Sequence, residues 1–249
     1  MAVMDEFREE RAMIKNGTPK QKYQYFKDYY RTPLIIAVVA VIFVGALLYN
    51  YFTAKETAFY AALLNASSYG EEDTFEQNFA DAVGIDLQQY DVFFDYGFYY
   101  TFGSTDQDSY ITSEKLSAYT GAATLDVMIG SGKEFAVFAN SPLFWDLRKV
   151  LSAEQIAKYE PYFYYVDEAV LTKLAASGID TTTYSDFPDP KHPEAMEKPV
   201  PVAIYVDSSG DLTENYYFQT QEENGVALAI YSNSTHTDSA VKLIEYLLP

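Results

Sequence analysis

The sequence predicts a mixed α/β domain that is tethered to a membrane by one N-terminal transmembrane helix. Two observations favour this fold class: an apolar run near the N-terminus, and alternating strand-like and helix-like patterns after it. In addition, the charge is unevenly distributed. Residues 1–55 contain eight Lys/Arg and five Asp/Glu, whereas residues 56–249 contain nine Lys/Arg and 31 Asp/Glu. We therefore divide the chain into a basic tail (1–32), a transmembrane helix (33–53) and an α/β domain (56–249).

The apolar run is long enough to cross a lipid bilayer. It has no polar side chain from Leu34 to Tyr49, and Tyr51 and Phe52 extend it beyond Asn50 to nineteen residues. At about 1.5 Å per residue, this helix would reach about 28 Å, close to the ~30 Å apolar core of a membrane. A core helix would not be apolar on all sides beside a polar tail, and a signal peptide would not have over thirty residues before its apolar part.

The basic residues beside the run predict its orientation. Lys20, Lys22, Lys27 and Arg31 precede the run, whereas only Lys55 follows it closely. The positive-inside rule therefore predicts a cell-membrane protein with a cytoplasmic N-terminus and an extracytoplasmic domain over 56–249. Residues 33–53 would bring the chain into contact with the lipid bilayer.

Composition excludes several classes of function. The strongly acidic domain would repel a phosphate backbone, so we expect no nucleic-acid partner. The sequence contains no cysteine, which excludes disulfides, zinc–thiolate sites, thiol catalysis and lipid attachment through an N-terminal cysteine.

The first part of the domain alternates strand and helix patterns. Phe59–Ala66 is a short apolar run that predicts a strand. Phe75, Phe79 and Val83 then share one helical stripe, and Gly84 is placed to end that helix. The acidic residues Glu71, Glu72 and Asp73 belong to its predicted first turn, where the helix dipole favours them.

The next segments continue this alternation. Residues 90–100 predict a strand, residues 113–124 a helix with Leu116, Tyr119 and Ala123 facing inward, and residues 125–131 another strand. Strands separated by helices with short connections indicate a parallel or mixed sheet covered by helices.

The second part of the domain contains further helix and strand patterns around a polar loop. Ser152 and Gln155 form a capping box, and Asp167 is placed to begin a later helix. Residues 162–166, 200–207, 215–220 and 226–232 resemble strands, and the Pro-rich stretch 181–199 predicts a surface loop. The chain closes with an amphipathic helix through Val241, Ile244 and Leu248.

No established catalytic or metal-binding motif is present, so we expect no enzyme, cofactor or metal site. The Gly130–Lys133 turn lacks the first glycine of a P-loop, because Val127 occupies that position and Glu134 follows the lysine. Asp106–Glu114 is too short for a calcium loop, and His192 and His236 are too far apart in sequence for a paired zinc motif. Asp126 precedes an apolar strand, and we expect its side chain to face solvent or a neighbouring helix end.

The aromatic residues allow two interpretations. The domain is rich in tyrosine and phenylalanine, which could form a sugar-stacking surface or pack in the core. The clusters Phe98–Tyr100 and Tyr162–Tyr165 fall in predicted strands, so alternate members should face the core. This favours packing, and Trp145 is expected to serve as a packing anchor.

Three segments together resemble the type 2 periplasmic solute-binding proteins. These are LDVMIGSGKEF (125–135), LFWDLRKVLSAEQI (143–156) and GVALAIYSNSTHTDSAVKLIEYLL (225–248). In that family a strand ending in a D-V-x-I-G-S turn leads to a helix, and a late strand ending in Asn-Ser precedes the terminal helix. The stretch 18–39 is similar to the head of membrane-anchored proteins of Clostridia-type Gram-positive bacteria.

This resemblance covers most of residues 57–249 and implies a two-lobed α/β fold. Because only about sixty residues separate Val166 from Val226, the second lobe is expected to be much reduced. By analogy, ligands lie beyond the carboxyl ends of the strands. The implied ligand-binding residues are Asn65, Ser67, Ser68, Gly97, Gly130, Ser131, Ser232 and Asn233. The alternative is ordinary turn chemistry, in which Gly and Ser are common for steric reasons.

Three classes of function remain open from the sequence. The first is a non-enzymatic, membrane-tethered, solute-binding-like domain that acts in ligand binding or assembly at the outer face, with a small polar ligand. The second is a scaffold or accessory subunit of a transporter or envelope complex that binds no small molecule. The third is an extracytoplasmic enzyme acting on the cell wall.

Overall fold

The structure is a computed structural model that describes residue 15 and residues 17–69, 73–179, 181–219 and 225–249. It contains two units, which comprise residues 1–54 and 55–249. The predicted first-turn residues Glu71 and Glu72 lie outside the described residues, as do residues 1–14 and 16 of the basic tail.

The first unit contains one long helix, α1 (Pro19–Thr53). Thr18 and Gln21 form a capping box at its start, where the Thr18 N–H donates to Gln21 Oε1 over 2.8 Å. Residues 30–53 form the one helix in the described parts of the chain that is long and apolar enough to cross a membrane. The predicted apolar helix is therefore confirmed.

The second unit contains eight strands and seven α-helices among its described residues. The strands are β1 (Glu56–Leu64), β2 (Ala66–Ser68), β3 (Tyr90–Phe98), β4 (Val127–Ser131), β5 (Phe163–Asp167), β6 (Pro199–Tyr205), β7 (Tyr216–Phe218) and β8 (Val226–Ile230). The helices are α2 (Asp73–Val83), α3 (Gln107–Gly121), α4 (Gly132–Ala139), α5 (Ala153–Tyr159), α6 (Glu168–Ala176), α7 (Gly210–Asn215) and α8 (Thr237–Leu247).

Six strands form one mixed sheet in the order β3-β1-β4-β8-β6-β5. β1 pairs in parallel with β3 and β4, whereas β8 is antiparallel to β4 and β6, and β5 is antiparallel to β6. β2 and β7 form a separate antiparallel pair. The predicted α/β class with a mixed sheet is confirmed.

Helices cover both faces of this sheet. Phe59 and Leu63 of β1 belong to a core cluster that includes residues of α2 and α8, whereas Ala62 and Leu64 belong to a second cluster with residues of α3 and α4. All five residues of β4 are buried. Consecutive side chains of a strand point to opposite faces of the sheet, so burial of consecutive residues means that both faces are covered.

The predicted helix over residues 71–84 is observed as α2. Phe75 and Phe79 are fully buried, and Val83 packs against the same cluster. Gly84 follows the last residue with φ of 79°, the left-handed conformation that often ends a helix. The spacing of the apolar residues therefore predicted this helix correctly, and Gly84 predicted where it ends.

Other sequence predictions are confirmed with shifted boundaries. The Ser152–Gln155 capping box begins α5, and the Asp167 side chain accepts from Ala169 N at the start of α6. The rejected calcium loop is the beginning of α3, with Asp106 as its N-cap. The aromatic strands pack in the core as favoured: Phe98 is buried beside the exposed Tyr99, and Phe163 and Tyr164 are both buried, in different core clusters.

A separate second lobe is not confirmed in the described part of the chain. β5 ends at the beginning of the segment where that lobe was expected, β6 lies within the segment, and both belong to the six-stranded sheet. The predicted strand over 215–220 is the short β7, which pairs with β2 instead of joining the main sheet. Residues 55–249 accordingly form a single unit.

We predict that Phe79→Ala lowers the free energy of unfolding by about 3–5 kcal/mol, because it removes a buried aromatic side chain. The Phe79 ring centroid lies 5.0 Å from that of Phe59 and 5.5 Å from that of Phe94. Chemical denaturation measures this loss. Asn78→Ala, at an exposed position of α2, is the matched control and should change stability by less than about 0.5 kcal/mol. A loss below about 1 kcal/mol for Phe79→Ala would contradict this packing.

Candidate functional site

Asn65 lies where β1 ends and joins three chain segments. Its side-chain Nδ2 donates to Tyr100 O over 2.7 Å, and its Oδ1 accepts from Tyr100 N over 2.8 Å. Its backbone N–H donates to Phe98 O, and its carbonyl accepts from Gln219 N. The residue is buried and has φ of 53°, a left-handed conformation that asparagine tolerates better than most residues. These bonds give Asn65 a structural role.

Gly130 and Ser131 lie at the carboxyl end of β4 and are both buried. A Cβ on Gly130 would lie 3.1 Å from Leu64 Cβ and 3.1 Å from Phe135 Cδ2, so the glycine permits close packing of strand and helix. The left-handed conformation belongs to Gly132, with φ of 64°. The expected turn is therefore a direct passage from β4 into α4.

Gly97 lies within β3, beside a network of charged and polar groups. Its N–H donates to Asp95 Oδ1 over 2.8 Å, while Lys115 Nζ and the Tyr60 hydroxyl donate to Asp95 Oδ2. Burial would raise the pKa of Asp95, but the bonds from Lys115, Tyr60 and Gly97 outweigh it and hold that pKa below its usual value. Gly97 thus helps to hold a carboxylate within the fold.

Ser67 and Ser68 lie in β2, opposite Tyr217 and Tyr216 of β7. Both are half-buried. They are near Asn65 in sequence, and Gln219 N donates to Asn65 O just after β7. The structure therefore places Asn65, Ser67 and Ser68 around the carboxyl end of β1.

Ser232 and Asn233 lie at the opposite edge of the sheet, so the prediction that they share one edge with Asn65 and Gly130 is wrong. They follow β8, which runs antiparallel to β4 and pairs Ile230 with Val127. The residues after β8 are consequently close to the beginning of β4. Asn233 Nδ2 donates to Thr120 O over 2.6 Å, at the end of α3.

Asp126 forms a buried network at this opposite edge that sequence patterns did not reveal. Its Oδ2 accepts from Tyr60 N over 2.9 Å, and its Oδ1 accepts from Ser234 Oγ over 2.6 Å. His236 Nδ1 lies 3.2 Å from both carboxylate oxygens, at the start of α8. Asp126 is therefore buried at a helix end, not exposed to solvent.

The residue types Ser, His and Asp in this network resemble those of a hydrolase triad, but their arrangement differs. In a triad the serine hydroxyl bonds to the imidazole, which removes its proton. Here Ser234 Oγ donates to the carboxylate of Asp126, and it also accepts from His236 N over 3.0 Å. The network fixes the loop between β8 and α8 against the start of β4.

An open cleft of about 320 Å³ runs along α4, the helix that follows the Gly-Ser-Gly sequence. We call this the first cleft. Its lining residues are Phe102, Lys133, Ala136, Val137, Asn140, Tyr164, Tyr184, Ser185, Phe187, Pro188, Asp189 and Pro190. Ligand sites commonly combine aromatic walls with a few polar groups in volumes of about 300–1,000 Å³. The first cleft has this composition.

The first cleft has charged side chains on two sides. Lys133 is exposed in the first turn of α4 and has no carboxylate partner within 4 Å in the described part of the chain. Asp189 is exposed on the opposite, Pro-rich segment. Burial, together with Tyr205 and Asp189, raises the pKa of Tyr164, so its phenol stays protonated. The cleft therefore offers one cation, one carboxylate and neutral aromatic rings.

The described residues contain no group of three His, Asp or Glu side chains that could hold a metal ion. Comparison with protein-family models, curated proteins and solved structures finds no match to this chain. The class of protein is therefore defined by its architecture, a mixed α/β domain that follows one apolar helix.

We predict that Gly130→Ala destabilises the protein by about 1–3 kcal/mol, because the added Cβ overpacks the contact with Leu64 and Phe135. Gly210→Ala is the matched control, since no atom of a described residue lies within 4 Å of the added Cβ, and it should be neutral or slightly stabilising. Urea denaturation of both variants measures the difference. Equal stability of the two would show that Gly130 is not a packing position.

Proposed function

We propose that this protein is a non-enzymatic binding domain that α1 tethers to the outer face of the cell membrane. The first cleft, which adjoins the carboxyl end of β4, carries this proposal. It combines the exposed ammonium of Lys133 with aromatic side chains and the carboxylate of Asp189. A small polar solute with a carboxylate would match Lys133, and an amine or hydroxyl group on it would match Asp189.

The likeness to solute-binding proteins supports the same proposal at the level of chain order. β4 leads directly into α4, and the late strand β8 precedes the terminal helix α8. These are the arrangements that the three resembling segments imply. Because a second lobe is not confirmed, the solute would bind in an open cleft without closure by a second lobe.

Assembly with another membrane protein is the second candidate function. The observation that favours it is the pair Tyr110 and Ile111 on α3, which are 66% and 51% exposed. Contiguous exposed apolar patches mark protein contacts, and in this candidate function Tyr110 and Ile111 would belong to such a patch. In this case the partner would be a transporter or envelope complex, and no small molecule would bind.

The orientation is tested by labelling single cysteines, because the chain contains none of its own. We predict that Ala118→Cys and Ala176→Cys, both at exposed helix positions, react with an impermeant thiol reagent in intact cells. Gln24→Cys, exposed near the start of α1, should react only after the membrane is permeabilised. Labelling of Gln24→Cys alone in intact cells would show that the orientation is the opposite of the one we predict.

Ligand binding is tested with the full chain in detergent, by calorimetry against amino acids, sugars and short peptides. We predict that a binding solute carries a carboxylate and that Lys133→Ala weakens its affinity at least about tenfold, which corresponds to about 1.4 kcal/mol. Lys149→Ala, at another exposed lysine outside the first cleft, is the matched control and should leave the affinity unchanged.

The same preparation distinguishes the two candidate functions. A solute that binds should also raise the thermal unfolding midpoint by mass action. Absence of heat and of a thermal shift with every solute, together with co-purification of a membrane protein that Tyr110→Ser abolishes, would favour assembly.

A further inference from the structure

A second open cleft, of about 540 Å³, lies where β5 begins and β6 ends. Its walls contain the aromatic rings of Tyr162, Tyr165 and Tyr205, and its acidic side chains are Glu160, Glu194 and Asp207. We call it the second cleft. It shares no lining residue with the first cleft.

The charges of the second cleft favour a cation. Three carboxylates line it, against the single ammonium of Lys191. Glu194 pairs with His192, whose Nδ1 lies 2.7 Å from Glu194 Oε1, whereas Glu160 and Asp207 form no ion pair with any described residue. The domain around them is strongly acidic, and clefts lined by one sign of charge concentrate ions of the opposite sign.

Lys191 already shows that an ammonium group fits over the aromatic wall. Its Nζ lies 4.8 Å from the centroid of the Tyr205 ring, within the distance of a cation–π contact. The Lys191 ammonium makes no ion pair in the described part of the chain, and it contacts the aromatic face of Tyr205 instead. The ring and its acidic surroundings thus receive a cation from the chain itself.

Tyr205 provides a second, independent observation. The residue is 8% exposed, and its buried hydroxyl has no hydrogen-bond partner among the described residues. Buried polar groups are nearly always paired, so an unpaired hydroxyl beside a cleft indicates a group that a ligand or water would satisfy. Burial and the carboxylates of Asp189 and Asp207 raise the pKa of Tyr205, so the phenol stays protonated, and its oxygen can accept a hydrogen bond from an ammonium N–H group.

We propose that the second cleft binds a small organic cation of the alkylammonium class. The cation takes the position over the Tyr205 ring that Lys191 Nζ occupies, and Glu160 and Asp207 balance its charge. Weakly hydrated alkylammonium ions suit such aromatic walls, because they lose less hydration on burial than inorganic cations do. Lys191 then acts as an internal competitor that lowers the affinity for the ligand.

The test uses the full chain in uncharged detergent and trimethylammonium, which has one N–H donor, as the probe. Saturation-transfer NMR of its methyl protons gives the dissociation constant at constant ionic strength. Lys191→Met should tighten binding at least threefold, because it removes the competing ammonium. The double variant Glu160→Gln, Asp207→Asn should weaken binding at least fivefold, and the neutral isostere 2-methyl-2-propanol should bind more weakly than the cation.

Two controls make the outcome specific. Lys149→Met removes an exposed lysine outside the second cleft and should leave the affinity for trimethylammonium unchanged. Lys133→Ala, in the first cleft, should also leave it unchanged, which separates this proposal from carboxylate binding in the first cleft. Equal affinity of the wild type and Lys191→Met, or equal binding of the neutral isostere, would overturn the proposal.

Discussion

Burial of the central strands on both faces is the constraint on which the rest of this domain depends. Every residue of β4 and β8 is buried, and so is most of β1. Such strands can only be apolar or small, and their two faces require helices on both sides. The interior consequently has little room for polar chemistry. The polar groups that could act on a ligand are therefore at strand ends and beyond the sheet edges.

The two edges of the sheet are closed in different ways, and this decides where clefts occur. At the β3 edge, the Phe94 N–H donates to the Glu76 side chain of α2 over 2.9 Å. This N–H is therefore not available to pair with another strand. At the β5 edge, Tyr165 N donates to Pro190 O over 3.1 Å. The segment around Pro190 thus covers the sheet and also forms walls of both clefts. This one segment therefore contributes to both of the binding surfaces that we propose.

The residues expected to bind a ligand show that polar and small residues with a structural role can resemble a binding site in sequence. Asn65 has the polarity of a binding residue, yet both ends of its amide bond to the Tyr100 backbone. Gly130 has the space that a ligand would use, yet Leu64 and Phe135 fill it. Polar and small residues are needed at such strand ends whether or not a ligand binds there. Free polar groups are found instead along α4, where Lys133 is exposed beside Tyr164 and Tyr184.

The sequence by itself determined the apolar helix, the α/β class, the α2 stripe through Phe75 and Phe79, and the caps at Gly84, Ser152 and Asp167. These features depend on local periodicity and on backbone preferences, both of which are set by residues close to one another in sequence. Only the tertiary structure decided which strand ends meet. β8 runs antiparallel to β4, so Ser232 and Asn233 lie opposite the predicted edge, and Asp126 contacts His236 across 110 positions. Strand direction and such distant pairs arise from packing of the whole sheet, which no short sequence pattern encodes.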